Sequence, residues 1–351
     1  MKIFIDIGHP AHVHYFKNFT KEFIRYGHQV FFSVRDKETS LDLIKELGFD
    51  YSERGKGGEN IFTKIIKLPL INYKLLKYAL KVGPDLFLSF ASPYAAHVST
   101  ILKKPHISFD DTEHAVWAHK LYRPFTDVIL SPSCYVGGLH KNQLLFESYM
   151  ELCYLHPKYF TPDKSVLNDI GVDAEEKFVI VRFVSWNANH DVGQQGFTNI
   201  DKIKLIVELS KHCKVFISSE DMLPEELKKY NLKINPSRLH DVLSFATLYI
   251  GEGSTTATES SVLGIPAIFV NSLKLGYCME LEEKFGLMYN INETSKVLEK
   301  AIEILQTPYT REKYHDRRKK MLSEKINPTE FMIWFIENWP DSRQIHRYSK
   351  N

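Results

Sequence analysis

Short apolar runs alternate with helix-patterned segments along the whole chain, and this rhythm starts twice. Lys2–Ile7 is an apolar run interrupted by Asp6, followed by Val13, Phe16, Phe19 and Phe23 on one helical face that stops at Gly27. Gln29–Val34 repeats the run and Ser40–Leu47 repeats the helix, closed by Gly48. Asp85–Ser89, His106–Phe109 and Asp127–Leu130 read as further buried strands. After Pro157 and Pro162 the pattern restarts: a strand over Phe178–Val184, a helix over Ile203–Leu209, then strands at Val215–Ser218, Leu248–Ile250 and Ala267–Val270. Strands with such continuous apolar character, separated by helices, form parallel sheets covered on both faces. The expected fold class is α/β, with two Rossmann-like doubly wound domains facing a cleft. Residues 1–160 form the first domain and 161–327 the second. The segment 328–351 carries Phe331, Trp334, Phe335 and Trp339 at helical spacing, and is expected to return to the first domain.

In doubly wound sheets, ligands bind beyond the carboxyl ends of the strands. The loops after Ile7, Phe109, Val184, Ser218 and Ile250 therefore matter most. After Leu248–Ile250 the chain reads G-E-G-S-T-T-A-T-E-S-S-V-L-G-I-P from Gly251 to Pro266. This is the pattern of a strand, a glycine turn, a helix opened by hydroxyl residues, and a glycine stop. A helix start leaves backbone N–H groups unpaired, and its dipole favours negative charge. Gly251 and Gly253 let backbone approach a ligand, and Ser254, Thr255 and Thr256 add hydroxyl donors. Glu259, one turn further, is within reach of sugar hydroxyls. Thr256-x-x-Glu259 also fits a capping box, in which both side chains only satisfy helix-end N–H groups. No Lys follows the glycines as in a P-loop, and the third position of G-x-G-x-x-G is Thr256, which disfavours nucleoside triphosphatases and dinucleotide enzymes.

The other loops add acid, base and cationic groups. Gly8-His9-Pro10-Ala11-His12-Val13-His14 opens the first helix, where His12 suits a general base because imidazole exchanges protons near neutrality. Two other readings are metal ligation by the three imidazoles and simple helix capping. Ser108–His114 sets Asp110, Asp111 and Glu113 beside His114, the kind of grouping that splits pKa values for acid–base work. Asp110 reads equally as a helix cap and Glu113 as a surface residue. In Arg182–Asp191, Arg182 is a guanidinium fork for a diphosphate, and Asn187 and His190 are candidates for a sugar or base edge. A surface loop anchored by Trp186 is the plain alternative. Glu220, and His240 within Arg238–Asp241, add polar groups to the same rim.

Composition narrows the function classes. The chain of 351 residues carries 45 basic and 43 acidic residues, a net charge of +2, so no nucleic-acid partner is expected. The N-terminus opens a strand and does not read as a signal peptide, no apolar run approaches the ~20 residues of a membrane span, and Cys134, Cys153, Cys213 and Cys278 show no C-x-x-C spacing. A cytoplasmic location is expected. Residues 61–80 mix four lysines with many apolar residues, a basic amphipathic pattern suited to peripheral contact with the inner face of a membrane, although Pro69 breaks it. An ordinary solvated helix fits as well.

Taken together, these loops resemble the glycosyltransferase B (GT-B) fold. Gly8–Val13 looks like the turn with a His-Val pair in lipid II N-acetylglucosaminyltransferases, departing from it where Pro10 and Ala11 replace glycine. Gly251–Glu259 followed by Leu263-Gly264-Ile265-Pro266 looks like the donor-nucleotide motif of the fold. His9–His14, Asp111–Ala115, Arg182–Asp191 and Gly251–Pro266 resemble the recurring phrases of a bacterial and archaeal family in this superfamily. The resemblance implies that His12 deprotonates an acceptor hydroxyl, that Gly253, Ser254, Thr255 and Thr256 hold the donor diphosphate, and that Glu259 takes the ribose hydroxyls. It implies a metal-independent transferase, needing no cofactor, that moves a sugar from a nucleotide-sugar, UDP-linked, to a saccharide or lipid-linked acceptor of cell-surface polysaccharide or glycolipid synthesis. Glu113-His114-Ala115 also resembles the His-x-Glu-Ala region of UDP-N-acetylglucosamine 2-epimerases, in which case Asp111 or Glu113 would abstract the C2 proton. A third reading is a non-catalytic nucleotide-sugar-binding subunit of a membrane transferase.

Overall fold

A computed structural model describes residues 1–37, 39–58, 61–184, 197–219 and 222–348. The chain divides into two compact units: Met1–His156 together with the chain from Ile326 onward, and Pro157–Lys325.

The first unit is built on a seven-stranded sheet of β1 (Lys2–Ile7), β2 (Gln29–Arg35), β3 (Tyr51–Gly55), β4 (Leu86–Phe90), β5 (His106–Phe109), β6 (Val128–Pro132) and β7 (Gln143–Phe146), in the order β3-β2-β1-β4-β5-β6-β7. Every pairing is parallel. The chain steps outward from β1 to β3, then crosses to β4 on the other side of β1, so the order reverses between β1 and β4. Asp6 sits level with Ser33 on one side and Ser89 on the other. The helix Pro10–Arg25 buries Val13, Phe16, Phe19 and Phe23, the face expected from their spacing, and Gly27 follows with φ 86°. The helix Pro328–Glu337 packs on Pro10–Arg25. There Phe331 stacks on Phe146 with 5.3 Å between centroids, and Thr329 Oγ1 donates to the Cys153 carbonyl at 3.0 Å.

The second unit holds a five-stranded parallel sheet of β8 (Phe178–Phe183), β9 (Lys214–Ser219), β10 (Leu248–Gly251), β11 (Ala267–Val270) and β12 (Met288–Ile291), in the order β12-β11-β10-β8-β9. Here the reversal lies between β8 and β10. Arg182 is level with Gly251 on one side and Ser218 on the other. The helix Ser254–Val262 ends at Gly264, whose φ of 84° admits the left-handed turn that closes it.

Each strand expected from an apolar run is present, with ends shifted by at most two residues. The strands not anticipated are β3, β7 and β12, and all three are sheet edges. An edge strand is shielded on one side only, so it needs no continuous apolar run. Tyr51-Ser52-Glu53-Arg54-Gly55 accordingly looks like a loop in sequence, and only Arg54 of the five is buried. Pro69 also behaves otherwise than expected: the helix Ile61–Val82 runs through it without a break.

His106, fully buried on β5, is hydrogen-bonded on both ring nitrogens, to Ser89 Oγ and Thr126 Oγ1, each at 2.9 Å. Burial first, and then His97, lower its pKa to about 3. The unfolded chain takes up this proton as pH falls below the ordinary histidine value of about 6.5, whereas the folded chain refuses it until pH is near 3. Stability from this group is therefore complete above that unfolded value and declines across the window below it, by up to ~1.4 kcal/mol per pH unit. Denaturant melts at stepped pH should show His106→Asn losing much of that acid sensitivity.

Candidate functional site

In the second unit the Gly251–Ser254 turn lies at the carboxyl end of β10, beside the point where the strand order reverses. Its glycines are there for space. A Cβ on Gly251 would lie 2.1 Å from the Tyr249 hydroxyl, and one on Gly253 would lie 3.3 Å from Val184 Cγ1. Gly253 is the N-cap of the helix Ser254–Val262, and no side chain caps this end. Thr256-x-x-Glu259 is therefore not a capping box: Thr256 is the third residue of the helix and Glu259 lies inside it. The first helical bond is from Ala257 N–H to the Gly253 carbonyl, at 3.3 Å. The N–H groups of Ser254, Thr255 and Thr256 precede it, where the helix itself supplies no acceptor. Ser254 Oγ accepts from the Tyr277 hydroxyl at 3.0 Å.

Glu259, buried, meets His240 Nε2 at 3.0 Å, and both side chains are about nine-tenths buried, with 8% and 11% exposure. Two residues expected on the rim as separate donor contacts thus form one pair. Arg238 and Asp241 work differently from the expectation for their segment. Arg238 Nε donates to Asp241 Oδ2 at 2.7 Å and its Nη2 to Asp163 Oδ2 at 2.9 Å, while Asp163 N–H donates to Asp241 Oδ1 at 2.9 Å. This network pins the start of the helix Leu239–Phe245. Arg182 is the penultimate residue of β8 rather than part of a loop, and its Nη1 donates to Ser218 Oγ at 2.8 Å. Asn187, His190 and Glu220, expected to contact the donor, lie outside the described residues.

Sequence reasoning missed Glu252, which is 1% exposed. Its Oε2 accepts from Val184 N–H at 3.1 Å and its Oε1 from Phe197 N–H at 2.7 Å. Its own carbonyl accepts from Asn271 Nδ2 at 3.2 Å. One carboxylate therefore ties β8's exit to Phe197 directly beneath the uncapped helix start. The available signal was a carboxylate set between two glycines at the end of a buried strand, a place where an acid needs buried donors.

In the first unit, Asp6 near the end of β1 is neutralised by Arg54 from β3, with Nε 3.0 Å from Oδ1, and accepts from Ser92 Oγ at 2.5 Å. The guanidinium also lies 4.5 Å from the Tyr94 ring centroid. Above this buried pair, His9 caps the helix Pro10–Arg25, its Nδ1 accepting Ala11 N–H at 3.2 Å. His12 packs 4.8 Å from Phe90 and 6.0 Å from Tyr15 (ring centroids), with Gly8 N–H 3.4 Å from its Nδ1. Burial first, then the neighbouring His9 and the Lys37 and Arg54 cations, hold its pKa well below the ordinary histidine value, so the ring is neutral at pH 7. His14 stands 5.1 Å from the Tyr154 ring. Among the described residues no group of three or more His, Cys, Asp or Glu side chains is arranged to hold a metal ion.

Beyond β5, Asp110 is fully buried and anchors its own surroundings rather than capping a helix. Its Oδ2 accepts from the Tyr122 hydroxyl at 2.5 Å and pairs with His119 Nε2 at 3.0 Å, and its Oδ1 accepts Thr112 N–H at 3.0 Å. Asp111 beside it is pushed up to about 7 by burial and then by the Asp110 and Glu113 charges. Glu113 is partly buried, with Oε1 3.4 Å from Val136 N–H. The same strand end thus carries one carboxyl locked by hydrogen bonds and one that exchanges its proton near neutrality.

Solved structures share this architecture across nearly the whole chain. S. aureus MnaA, solved with UDP, matches with a TM-score of 0.70 at 12% identity, covering 97% of each chain. The UDP-GlcNAc 2-epimerase of Methanocaldococcus jannaschii matches with a TM-score of 0.63 at 12% identity, over 92% of this chain and 99% of its own. The spinosyn rhamnosyltransferase SpnG, in complex with spinosyn aglycone, matches with a TM-score of 0.64 at 12% identity, over 96% of this chain and 100% of its own. At these identities the likeness establishes the fold, which is GT-B. In sequence, the uncharacterized protein MJ0665 of Methanocaldococcus jannaschii is 25% identical over 283 residues, 76% of this chain and 81% of its own length. The family model described as "Protein of unknown function (DUF354)" matches residues 1–336, and the chain belongs to that family.

Proposed function

We propose that the protein is a glycosyltransferase that takes a sugar from a UDP-linked donor and passes it, without a metal, to a saccharide or lipid-linked acceptor in cell-surface polysaccharide or glycolipid synthesis. The observation that carries this reading is the uncapped start of the helix Ser254–Val262 at the strand-order reversal of the second sheet. A diphosphate placed there receives the N–H groups and hydroxyls of Ser254, Thr255 and Thr256 and the favourable end of the helix dipole. Those fixed donors stabilise the leaving diphosphate as its charge grows. Glu259, oriented by His240, is the group for the ribose hydroxyls. His12, kept neutral by its surroundings, takes the proton of the acceptor hydroxyl, and a single displacement of this kind inverts the anomeric centre. The UDP held by one structural neighbour and the glycosyl transfer of another fit this reading.

A second reading, epimerisation at C2 of a UDP-sugar, is favoured by one observation: Asp111 titrates near 7 next to Asp110 and Glu113. The two readings differ in a pH profile. A base must be deprotonated, so kcat/KM falls as pH drops through its pKa. With His12 as base the fall comes well below the ordinary histidine value, whereas with Asp111 it comes near pH 7. Incubating the protein with UDP-sugars in heavy water, without acceptor, separates them directly. The transferase leaves C2 free of deuterium and gives a product of inverted configuration once acceptor is added. Deuterium at C2 would establish the epimerase instead.

A further inference from the structure

We propose that the outward face of the helix Ile61–Val82 docks the protein onto a lipid bilayer surface that carries anionic headgroups. The helix is apolar on two opposite sides. Ile71, Leu75, Ala79 and Val82 are buried on its inner side, where Leu75 and Ala79 join a core with Phe4, Phe87, Ala95 and Val98. On the opposite side Ile66, Leu70, Tyr73 and Leu80 are 76%, 58%, 62% and 64% exposed. With 3.6 residues per turn, these four and Lys77 fall within about 80° of arc. Lys67, Lys74 and Lys81, all exposed, line one border of that stripe.

The charge of this element selects the occupant. Residues 61–82 contain five lysines and no Asp or Glu. A second copy of the same face would set lysines against lysines, and a plain apolar protein surface would leave them unmatched. A bilayer supplies both chemistries in the right order: anionic headgroups at the level of the ammonium groups and acyl chain beneath them for Ile66, Leu70 and Leu80. Tyr73, with an apolar ring and a polar tip, suits the boundary between the two. No helix among the described residues is long and apolar enough to cross a membrane, so this contact lies in the interface plane.

Vesicle co-sedimentation of the full chain tests this without any sugar substrate, so its outcome is independent of the transferase reading. Vesicles of phosphatidylcholine alone are compared with vesicles also containing phosphatidylglycerol. The wild type should bind the anionic vesicles and be partly released by salt. The exposed-lysine variant K67E/K77E/K81E and the neutral apolar variant I66S/L70S/L80S should each partition about tenfold or more weakly, with unchanged thermal melting. Equal binding to both vesicle types, no binding to either, or variants that bind like the wild type would overturn the proposal. So would a concentration-dependent dimer that I66S/L70S/L80S abolishes, since a second copy would then be the occupant.

Discussion

Replacing Thr255 by Asp is expected to leave the second unit at least as stable as before while weakening UDP binding a hundredfold or more. The two readouts move apart because the same geometry governs both. Thr255 is the second residue of a helix whose start has no side-chain cap. A carboxylate there meets the positive end of the dipole and adds about 0.3–1 kcal/mol of stability. For a bound diphosphate the same carboxylate is a like charge: at ~4 Å and an effective dielectric near 20, a pair of unit charges costs about 4 kcal/mol, several powers of ten in affinity before screening. Thermal melting and a calorimetric titration with UDP measure the two effects on one preparation. Raised stability with undiminished UDP affinity would mean that this helix start holds no phosphate.

Glu252→Ala is expected to be among the most damaging substitutions in the second unit, at roughly 3–5 kcal/mol. Its carboxylate is the acceptor for two backbone donors, Val184 N–H and Phe197 N–H, and both bonds disappear together. Each buried donor left without a partner costs about 1–3 kcal/mol, and bonds to a charged acceptor sit at the upper end. Glu252→Gln should fall in between, because an amide oxygen serves only one of the two donors while its NH₂ group faces the other. Urea denaturation of the three proteins orders them. A loss below ~1 kcal/mol in Glu252→Ala would show that Val184 and Phe197 are held by something else.

How much of this was legible beforehand depends on burial. The central strands announce themselves because both of their faces are covered, which demands uninterrupted apolar runs such as Phe178–Val181 and Leu248–Ile250. The edge strands β3, β7 and β12 escape detection for the converse reason, and β3 hides the most consequential residue among them, since Arg54 is what neutralises Asp6 beneath the His12 turn. The turn Gly251–Ser254 and the helix after it were legible from their glycines and hydroxyls, which mark a candidate anion site. Whether Thr256 and Glu259 formed a capping box was not, because local spacing is the same for a capped and an uncapped helix. The structure decides by placing the N-cap at Gly253. Partners set by tertiary packing were out of reach: Glu259 with His240, Glu252 with Val184 and Phe197, and Asp110 with Tyr122 and His119. Only the Glu252–Val184 bond follows from the sheet order, which sets β8 beside β10; the others depend on how helices and loops pack around the strands.

This pattern also explains why two catalytic readings share one fold. A nucleotide-diphosphate cradle is common to both proposed chemistries, and the two proposals differ in the group assigned to carry the proton. His12 and Asp111 stand at the carboxyl ends of different strands, with pKa values moved in opposite directions by burial and neighbouring charge. The nucleotide cradle is the claim on which both depend.

Calorimetric titration of the full chain with UDP and with uridine tests that claim most directly. If the helix start at Ser254 holds the diphosphate, UDP binds and uridine binds at least about a hundredfold more weakly, since the fixed N–H donors and the dipole act on the phosphates alone. Equal affinities for the two, or binding of neither, would contradict it.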